Sequence, residues 1–400
     1  MGGNGMSEWK KEKLGDYIDV LSGFAYKSKD FCDSGIPVIK IKNVCPPYIS
    51  LDDLSFVPNS IAYENPRYIL KRGDVLIAMT GSHINQIASV VGRVGRVRYN
   101  DITVLNQRVG KIENKNDANS SLDYIYYYLS QYEVKVELAQ KAGGAANQAN
   151  ISPSDIKNLL FPCPPLETQC RIATILSRYD SLIENYQKQI KLLEEAAQRL
   201  YKEWFVDLRF PGYENTPLVD GVPEGWEKKK LGNYCNVFTG KKNANAAVIN
   251  GKYKFFTCSD TPLQINSYIY DGAAILISGN GSYTGRTTFY EGKFDLYQRT
   301  YACAIKENVS PKLIYGLYEA VKCELTTQIS GGTHGAAIPY IVMADVTDFK
   351  FLYNEHIMLQ FSETMEYNLS QILSLQSQIR LLTEARDRLL PKLMSGEIEV

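Results

Sequence analysis

The sequence predicts a mixed α/β, β-rich fold in which two globular domains alternate with two long α-helices. Three patterns indicate this arrangement: a seven-residue apolar repeat in mid-chain, an echo of that repeat near the C-terminus, and a duplication within the globular parts. The chain is 400 residues long, which suits two or three domains. The duplication predicts an internal repeat with pseudo-twofold symmetry.

The first long helix is predicted over residues 166–206, a stretch without glycine or proline. Apolar residues there form two series at steps of seven, displaced by four, which describes the a/d seam of a coiled coil. Pro164 and Pro165 precede the stretch, where a missing N–H has little cost, and Pro211 follows it. The predicted seam residues are Leu176, Ile183, Ile190, Leu193 and Leu200.

The second long helix is predicted over residues 355–395, where QIRLLTEARDRLLPKLM (378–394) echoes QIKLLEEAAQRLYKEWF (189–205). Asn368 and Arg386 interrupt its apolar series, and a polar residue at a seam position often fixes register at some cost in stability. The two helices are predicted to pack as an antiparallel coiled-coil spacer, the alternative being two ordinary core helices. The predicted seam residues are Ile372, Leu375, Ile379, Leu382 and Leu389.

The globular parts share four matched phrases, which occur in the same order in each half. The opening WKKEKLGDYIDVLSG (9–23) matches WEKKKLGNYCNVFTG (226–240). The other pairs are GDVLIAMTGS (73–82) with GAAILISGNGS (272–282), LNQRVGKI (105–112) with LYQRTYACAI (296–305), and the Gly-rich loops 141–156 with 329–346. These phrases predict globular domains at 9–165 and 225–354, with a proline-containing linker at 207–224.

Within the globular domains, short apolar runs are separated by Gly, Pro and Asn turns. Such runs predict strands at 38–41, 75–78, 104–112 and 274–277. One helix is predicted at 122–139, with a counterpart at 311–323. The domains are therefore mixed and rich in β-structure, with little parallel βαβ rhythm.

Composition limits the classes of function. Lys+Arg and Asp+Glu balance at 44 each, which counts against strong autonomous binding to DNA but leaves room for local basic patches. No apolar run approaches the roughly 20 residues of a membrane span, so no membrane association is expected. The eight cysteines form no C-x-x-C pair, which predicts reduced thiols and a cytoplasmic protein without a structural metal.

Several resemblances to catalytic motifs fail. The stretch 65–68 reads N-P-R-Y where amino-methyltransferases have N-P-P-Y, and no Gly-rich loop for S-adenosylmethionine precedes it. The glycines at 279–285 lack the spacing and the Lys-Ser/Thr of a phosphate-binding loop. Three histidines in unrelated settings do not suit a catalytic triad or a metal cluster. No catalytic residue is predicted in this chain.

Polar loops at matched positions in both halves are the better candidates for binding. Gln107-Arg108 and Gln298-Arg299 place an amide beside a guanidinium, and these groups bond adenine and guanine in a bidentate way in the DNA major groove. The alternative is that each Gln-Arg pair lies on a structural strand and meets a core carboxylate. The candidate DNA-binding residues are Thr80, Ser82, Arg93, Arg96, Gln107, Arg108, Lys141, Asn147, Gln148, Asn280, Ser282, Tyr283, Arg286, Gln298, Arg299, Thr333 and His334.

The sequence resembles the specificity subunits of type I restriction-modification systems. The resemblance spans Trp9 to Val400 and rests on three features. They are the W-x4-L-G-D/N-Y opening of each half, the phrase NQANISPSDIKNLLFPCPPLETQCRIATIL (147–176) and the terminal RLLPKLMSGEIEV (388–400). The second half lacks the Pro-Pro-Leu element before its long helix, so the start of that helix is less well defined by the pattern.

The resemblance implies a non-catalytic subunit that recognises DNA sequence. Each globular domain would be a target recognition domain for one half of a split, asymmetric double-stranded DNA site. The paired helices would set the gap between half-sites and dock two methylation subunits, and a restriction/translocation subunit would join them. S-adenosylmethionine, Mg and ATP would belong to the partners, with no cofactor in this chain. The alternative is a coiled-coil adaptor that assembles partners without reading DNA.

Overall fold

The structure is a computed structural model that describes residues 9–81, 90–142, 149–329 and 340–400. The chain divides into two compact units: unit 1 comprises residues 1–184 with 380–400, and unit 2 comprises residues 185–379. Each unit therefore combines one globular part with segments of both long helices. No helix in the described ranges is long and apolar enough to cross a membrane.

Strands dominate the globular parts, as the sequence predicts. In the first half the strands are β1 (Lys11–Lys13), β2 (Ile18–Ser22), β3 (Ile36–Ile39), β4 (Val44–Cys45), β5 (Tyr48–Ile49), β6 (Ser55–Val57), β7 (Ile69–Leu70), β8 (Val75–Ala78), β9 (Thr80–Gly81), β10 (Val94–Arg96), β11 (Thr103–Leu105), β12 (Val109–Asn114), β13 (Ala149–Asn150) and β14 (Leu160–Pro162). In the second half they are β15 (Leu218–Val219), β16 (Val222–Pro223), β17 (Glu227–Lys230), β18 (Cys235–Thr239), β19 (Tyr253–Phe256), β20 (Leu263–Ile265), β21 (Tyr270–Ser278), β22 (Thr287–Leu296), β23 (Thr300–Ile305) and β24 (Lys350–Tyr353).

Helices pack against these strands and connect the two halves of the chain. The α-helices are α1 (Asn59–Glu64), α2 (Leu122–Leu129), α3 (Tyr132–Lys141), α4 (Pro153–Lys157), α5 (Leu166–Tyr201), α6 (Leu313–Ile329), α7 (Met343–Thr347) and α8 (Glu355–Ser395). A π-helical turn, Lys202–Val206, continues α5. The 3-10 turns are Leu14–Asp16, Ser28–Asp30, Ile41–Asn43, Pro66–Tyr68, Tyr213–Asn215, Leu231–Asn233, Ala244–Ala246 and Gly281–Tyr283.

Each unit is built on a six-stranded sheet, and the two sheets share their first four positions. The order is β2-β12-β8-β10-β5-β4 in unit 1 and β18-β23-β21-β22-β19-β20 in unit 2. The strands β2, β12, β8 and β10 therefore correspond to β18, β23, β21 and β22. A two-stranded ribbon accompanies each sheet, β1 with β14 and β17 with β24. The duplication read from the sequence is thus a duplication of strand order.

The opening motif of each half has a physical explanation in these sheets. Leu14 and Leu231 are fully buried, and their N–H groups donate to Leu159 O at 2.8 Å and Phe349 O at 2.9 Å. These bonds tie each opening strand to the segment that precedes its long helix. The repeated Leu therefore fills the core while its backbone closes the domain.

The glycine that ends the opening motif is required by close backbone approach. A Cβ on Gly23 would lie 2.2 Å from Asn106 O, and a Cβ on Gly240 would lie 1.7 Å from Leu296 O. Both distances are far shorter than a van der Waals contact. The strands that these glycines follow, β2 and β18, pair with β12 and β23 next to the Gln-Arg sequences. A side chain at either position would push the chain away from those sequences.

Two expectations about local structure are corrected. The run 104–112 forms β11 and β12 with a turn between them, because β11 belongs to a separate four-stranded sheet, β6-β3-β11-β7. The stretch 122–139 forms two helices, α2 and α3, separated at Ser130 and Gln131. The extended backbone of Gln131 starts a new helix there. The strand predicted at 75–78 is confirmed as β8.

The predicted seam residues of the long helices differ in burial along their length. Leu176 and Ile183 in unit 1 and Ile372 and Leu375 in unit 2 are buried. The remaining ones are half-buried: Ile190, Leu193, Leu200, Ile379, Leu382 and Leu389.

Both polar interruptions of the apolar series contact the other long helix. In unit 1, Arg386 Nη1 of α8 donates to Asp180 Oδ1 of α5 at 2.7 Å. In unit 2, Asn368 Nδ2 of α8 donates to Leu193 O of α5 at 3.1 Å. In each unit, therefore, one hydrogen bond from a polar residue of α8 reaches a defined position on α5.

Replacing Gly240 by Ala should destabilise the protein, because the new Cβ would collide with the carbonyl oxygen of Leu296, the residue of β22 that pairs with Phe256 of β19. We expect a loss on the order of 1–3 kcal/mol, typical of overpacking. Chemical denaturation would measure the loss. The matched control is Lys241→Ala, at the exposed neighbouring residue, which should leave the free energy of unfolding almost unchanged. Equal stability of both variants would contradict the steric explanation.

Candidate nucleic-acid interface

Each Gln-Arg pair lies in a tight turn at the edge of its sheet, not on a strand. In unit 1, Val109 N donates to Asn106 O at 2.9 Å across Gln107 and Arg108. In unit 2, Thr300 N donates to Tyr297 O at 2.9 Å across Gln298 and Arg299. All four Gln and Arg residues are exposed. The two pairs therefore have the same backbone geometry and project outward.

The alternative interpretation of these pairs, a strand arginine meeting a core carboxylate, does not fit this geometry. The pairs lie outside the strands, and within the described residues neither Arg108 nor Arg299 forms an ion pair with a carboxylate. Arg299 lies beside Tyr301, and this contact lowers the pKa of the tyrosine, although burial outweighs it and raises the pKa overall. The exposed guanidinium groups remain accessible to a ligand.

A second arginine-bearing turn lies on the other side of the same central strand. Gly92 and Gly285 have positive φ angles of 74° and 84°, which glycine adopts without strain. Arg93 N donates to Val90 O, and Arg286 N donates to Tyr283 O, both at 3.0 Å. The Gly-Arg turns thus match each other as closely as the Gln-Arg turns do.

Both turns are fixed to consecutive residues at the end of the central strand. In unit 1, Ala78 N donates to Arg93 O and Met79 N donates to Arg108 O, both at 2.9 Å. Successive amides of a strand point to opposite sides, so the two turns flank it. We call the set Gly92-Arg93 with Gln107-Arg108 the paired turns of unit 1.

Unit 2 has the same two backbone hydrogen bonds at the equivalent positions. Ser278 N donates to Arg286 O at 3.0 Å, and Gly279 N donates to Arg299 O at 2.8 Å. Gly285-Arg286 and Gln298-Arg299 are therefore the paired turns of unit 2. Because neighbouring strands are about 4.8 Å apart, the two arginine backbones of a unit are separated by roughly 10 Å.

The side-chain surroundings of the turns differ between the units. Arg286 lies 2.5 Å from the Asp260 carboxylate and 5.3 Å from the ring centroid of Tyr283. Arg93 instead lies close to Lys135, whose pKa is lowered by burial and, to a smaller extent, by the nearby arginine charge. Unit 1 therefore has two neighbouring cations beside its Gly-Arg turn, and in unit 2 the arginine of this turn pairs with a carboxylate.

Two candidate residues, Thr80 and Arg96, have side-chain partners within unit 1. Thr80 is 6% exposed and its hydroxyl donates to Asn150 Oδ1 at 2.8 Å. The Arg96 side chain is 12% exposed, lies 2.7 Å from the Asp123 carboxylate and covers the ring of Tyr126 at 4.4 Å. Within unit 1, Thr80 is hydrogen-bonded and Arg96 is ion-paired, and neither residue is among the contacts proposed below.

The other candidates fall into two groups. Exposed Ser282 and Tyr283 lie in the 3-10 turn next to Arg286, and half-buried Asn280 forms a β-bridge with Tyr340. Lys141 is exposed at the end of α3 and pairs with Glu137 at 2.6 Å. The rest lie outside the described residues: Ser82, Asn147, Gln148, Thr333 and His334.

A buried ionic network supports unit 1 behind its paired turns. Asp180 is 1% exposed and lies 3.3 Å from Arg98 and 2.7 Å from Arg386. Tyr127 donates to the same carboxylate at 2.8 Å, and burial followed by the nearby charge of Asp180 raises the pKa of Tyr127. Burial acts to lower the pKa of Arg386, but its hydrogen bonds and charge interactions with Asp180 and Asp387 outweigh burial and raise it. Arg386 therefore stays positively charged near neutral pH, and Tyr127 keeps its phenolic proton.

The duplicated sheets with matched polar turns define a class of protein built from two similar units. The family model of the type I restriction modification DNA specificity domain matches residues 6–195 and 223–352. The chain therefore belongs to the family of type I restriction-modification specificity proteins. This confirms the resemblance inferred from the opening motifs and the terminal phrases.

Relatives and a solved structure agree with this assignment. The chain is 26% identical to the MjaIX specificity subunit of Methanocaldococcus jannaschii, over 98% of this chain and 94% of that protein. It is 34% identical to the EcoDI specificity subunit of Escherichia coli, over 44% of this chain and 39% of that protein. The S subunit of a type I restriction-modification system from M. genitalium shares the fold, with a TM-score of 0.60, 16% identity and 98% coverage of both chains.

Replacing Asp180 by Asn should strongly destabilise unit 1, because Arg98 and Arg386 would lose their buried counter-charge. Breaking a buried ion pair from one side typically costs about 3–5 kcal/mol. Urea denaturation monitored by far-UV circular dichroism would measure the change. The control is Asp387→Asn, which removes an exposed partner of Arg386 and should cost under about 1 kcal/mol. A similar small loss in both variants would contradict the supporting role of the network.

Proposed function

We propose that this chain reads a bipartite, asymmetric double-stranded DNA target for a type I restriction-modification complex. The observation that carries the proposal is the recurrence of the paired turns at the same register in both units. Each set presents one Gln and two Arg side chains from a rigid sheet edge. Such side chains recognise adenine and guanine edges in the major groove and bind phosphates.

Within this proposal the recognition domains are residues 9–165 and 225–354, and the two half-sites differ in sequence. Arg93 with Lys135 suits phosphate, because two adjacent cations favour a concentrated negative charge. Arg286 is oriented by Asp260 and Tyr283, which suits a directional contact to a base edge. Units with equal backbones and different side-chain surroundings would read different bases.

The two long helices, at 166–206 and 355–395, are proposed to pair as an antiparallel coiled-coil spacer. Arg386 reaches Asp180 in unit 1 and Asn368 reaches Leu193 in unit 2, so later residues of α8 meet earlier residues of α5. The 36 residues of α5 give a length of about 54 Å at 1.5 Å per residue. This exceeds one DNA turn of about 34–36 Å and suits a split target.

Methylation subunits are proposed to dock on the outer faces of these helices. Leu192 and Leu381 occupy equivalent positions in the repeated QI-K/R-LL phrase and are 63% and 54% exposed. Single exposed leucines are common on protein surfaces, but the recurrence of these two at equivalent positions of a repeated phrase supports a shared docking position. Two equivalent sites would dock two copies of the same subunit, and a restriction/translocation subunit would complete the complex.

Catalysis is proposed to belong to those partners. S-adenosylmethionine, Mg and ATP would be bound by the methylation and translocation subunits, and this chain would act in the cytoplasm as a non-catalytic reader. The second candidate function is an adaptor that assembles partners without sequence preference. It is favoured less because it gives no reason for matched, exposed Gln-Arg turns.

Methylation mapping in cells that carry this chain and its methylation subunit tests the reader function. We expect modified adenines within one split, asymmetric motif. Exchanging residues 9–165 for the corresponding domain of a relative should change one half of that motif. Unmodified DNA despite an assembled complex would favour the adaptor.

The paired turns predict which residues set each half-site. Arg108→Ala should relax or abolish one half of the motif and Arg299→Ala the other, with a cost of about 1–3 kcal/mol per lost bidentate base contact. Lys11→Ala and Lys228→Ala are matched controls, since both residues are exposed on β1 and β17. These strands precede β2 and β18, whose first residues pair with the ends of β12 and β23 that lie away from the Gln-Arg turns. Motif changes caused equally by the controls would argue against the assignment.

The exposed leucines predict two separable docking sites. Leu192→Asp or Leu381→Asp should each remove one methylation subunit from the complex while leaving the melting temperature of the isolated chain within a few degrees. Native mass spectrometry would count the subunits. Glu195→Ala, an exposed-face change one helical turn nearby, serves as the control. Complexes with two methylation subunits in both leucine variants would refute this docking surface.

A further inference from the structure

Unit 2 contains a cleft that begins beside its Gly285-Arg286 turn. It has a volume of about 670 Å³ and is lined by residues 282–286, β22, α6 and α8, together with Asp260 and with Glu194 of α5. Glu319 of α6 lines this cleft although the residue is 5% exposed, and its Oε2 atom has no hydrogen-bond partner among the described residues. A buried carboxylate oxygen without a hydrogen-bond partner is costly, so Oε2 of Glu319 points to a missing ligand.

The cations that line the cleft already have acidic partners. Lys322 Nζ lies 3.5 Å from the Glu194 carboxylate, and Arg286 lies 2.5 Å from the Asp260 carboxylate. Glu319 is the acid left without an ion pair within 4.0 Å among the described residues. The lining therefore carries one uncompensated negative charge when Glu319 is ionised. A single added cation would balance it.

Unit 1 shows what fills the equivalent place there. The strand register aligns Arg96 of β10 with Phe289 of β22, because Arg96 faces Val75 and Phe289 faces Ile275 across the sheet. Arg96 covers the ring of Tyr126 at 4.4 Å and lies 2.7 Å from Asp123. Unit 1 thus supplies a guanidinium at this place from its own strand.

Two more arginines complete the filling of unit 1. Arg98 and Arg386 both meet the buried carboxylate of Asp180, and the cavity that remains there is about 280 Å³. Unit 2 has Phe289 where unit 1 has Arg96, and the buried acid that lines its cleft, Glu319, comes from α6. Unit 1 therefore has arginines around Asp180 in this region, whereas unit 2 has an open cleft beside Glu319.

We propose that the unit 2 cleft binds the guanidinium of an arginine presented by a protein subunit that docks on α8, with Glu319 as its carboxylate partner. Arginine matches a carboxylate with two parallel hydrogen bonds. Leu369 with Ile372 offers an apolar wall for the methylene stem of the arginine. A cleft of this size admits the side chain with part of the segment that carries it.

The inference rests on the proposed function in one respect: the docking subunit would be a methylation subunit. The binding of a guanidinium by the isolated chain does not depend on that identity. The first experiment therefore uses the full chain alone, with ethylguanidinium as the probe and ethylammonium as a cation of similar size that lacks the fork of donors.

Methionine methyl NMR gives a local readout. The chain has seven methionines, and Met365 lines the cleft, whereas Met79 and Met394 belong to unit 1. At pH 8 we expect ethylguanidinium to shift the Met365 resonance in a saturable way and to leave Met79 and Met394 unchanged. Ethylammonium should bind at least tenfold more weakly. No saturable shift of Met365 would overturn the inference.

The carboxylate is tested by a matched pair of variants. Glu319→Gln keeps the shape and removes the charge, and should weaken ethylguanidinium binding at least tenfold. Glu363→Gln makes the same change on an exposed face of α8, where Glu363 pairs with Lys312, and should bind as the unmodified chain does. Equal binding by both variants would show that Glu319 is not the partner.

A measurement without substitution covers the case in which Glu319→Gln does not fold. Burial raises the pKa of Glu319 to about 7, while Lys322 lowers it and Glu194 raises it. The other charged or titratable groups that line the cleft are Tyr315, Tyr318, Asp260 and Arg286. Binding should therefore be strong at pH 8 and at least tenfold weaker at pH 5, where Glu319 is protonated. Equal binding at both values would overturn the proposal.

The complex then distinguishes this inference from the proposed function. Glu319→Gln should weaken assembly with the methylation subunit at least tenfold, and Glu363→Gln should not. Unchanged assembly would overturn the docking inference, even if the methylation motif is found as expected. Ethylguanidinium binding through Glu319 together with no sequence preference on DNA would instead support this site and refute the reader function.

Discussion

Two consecutive backbone amides at the end of the central strand hold the proposed recognition surface of each unit. They bond the carbonyls of two arginines on opposite sides, at residues 78 and 79 in unit 1 and 278 and 279 in unit 2. Backbone bonds of this kind do not depend on the side chains at the bonded positions. The backbone of the paired turns can therefore stay the same while the side chains that project from it vary. The two units could in this way contact different DNA sequences with the same backbone.

The backbone of the paired turns also depends on close packing. Gly23 and Gly240 let β2 and β18 pass within contact distance of the Gln-Arg turns, where any Cβ would collide with a carbonyl. A displacement there would move the turn relative to the strand end that anchors it. The glycines of the opening motif are thus linked to the proposed contacts although they cannot themselves touch a base through a side chain.

The sequence allowed much of the fold to be predicted, because its signals were local or repeated. Heptad spacing marked the long helices, and matched phrases marked the duplicated sheets. The sequence did not reveal that Gly92-Arg93 corresponds to Gly285-Arg286, since only strand register aligns them. Nor did it show that Arg96 is buried over Tyr126 whereas Arg108 is exposed, because both are arginines beside short apolar runs and only the sheet topology separates them.

The two units differ in the buried charged groups that lie behind their paired turns. Behind the paired turns of unit 1, arginines surround Asp180 and the space is largely filled. In unit 2 an apolar residue, Phe289, aligns with Arg96, and a buried carboxylate at Glu319 faces an open cleft. Burying a charge without a partner is unfavourable, so Glu319 must either bind a proton or meet a cation. The guanidinium proposed for the cleft would supply that cation, and it would do so through a contact with protein and not with DNA.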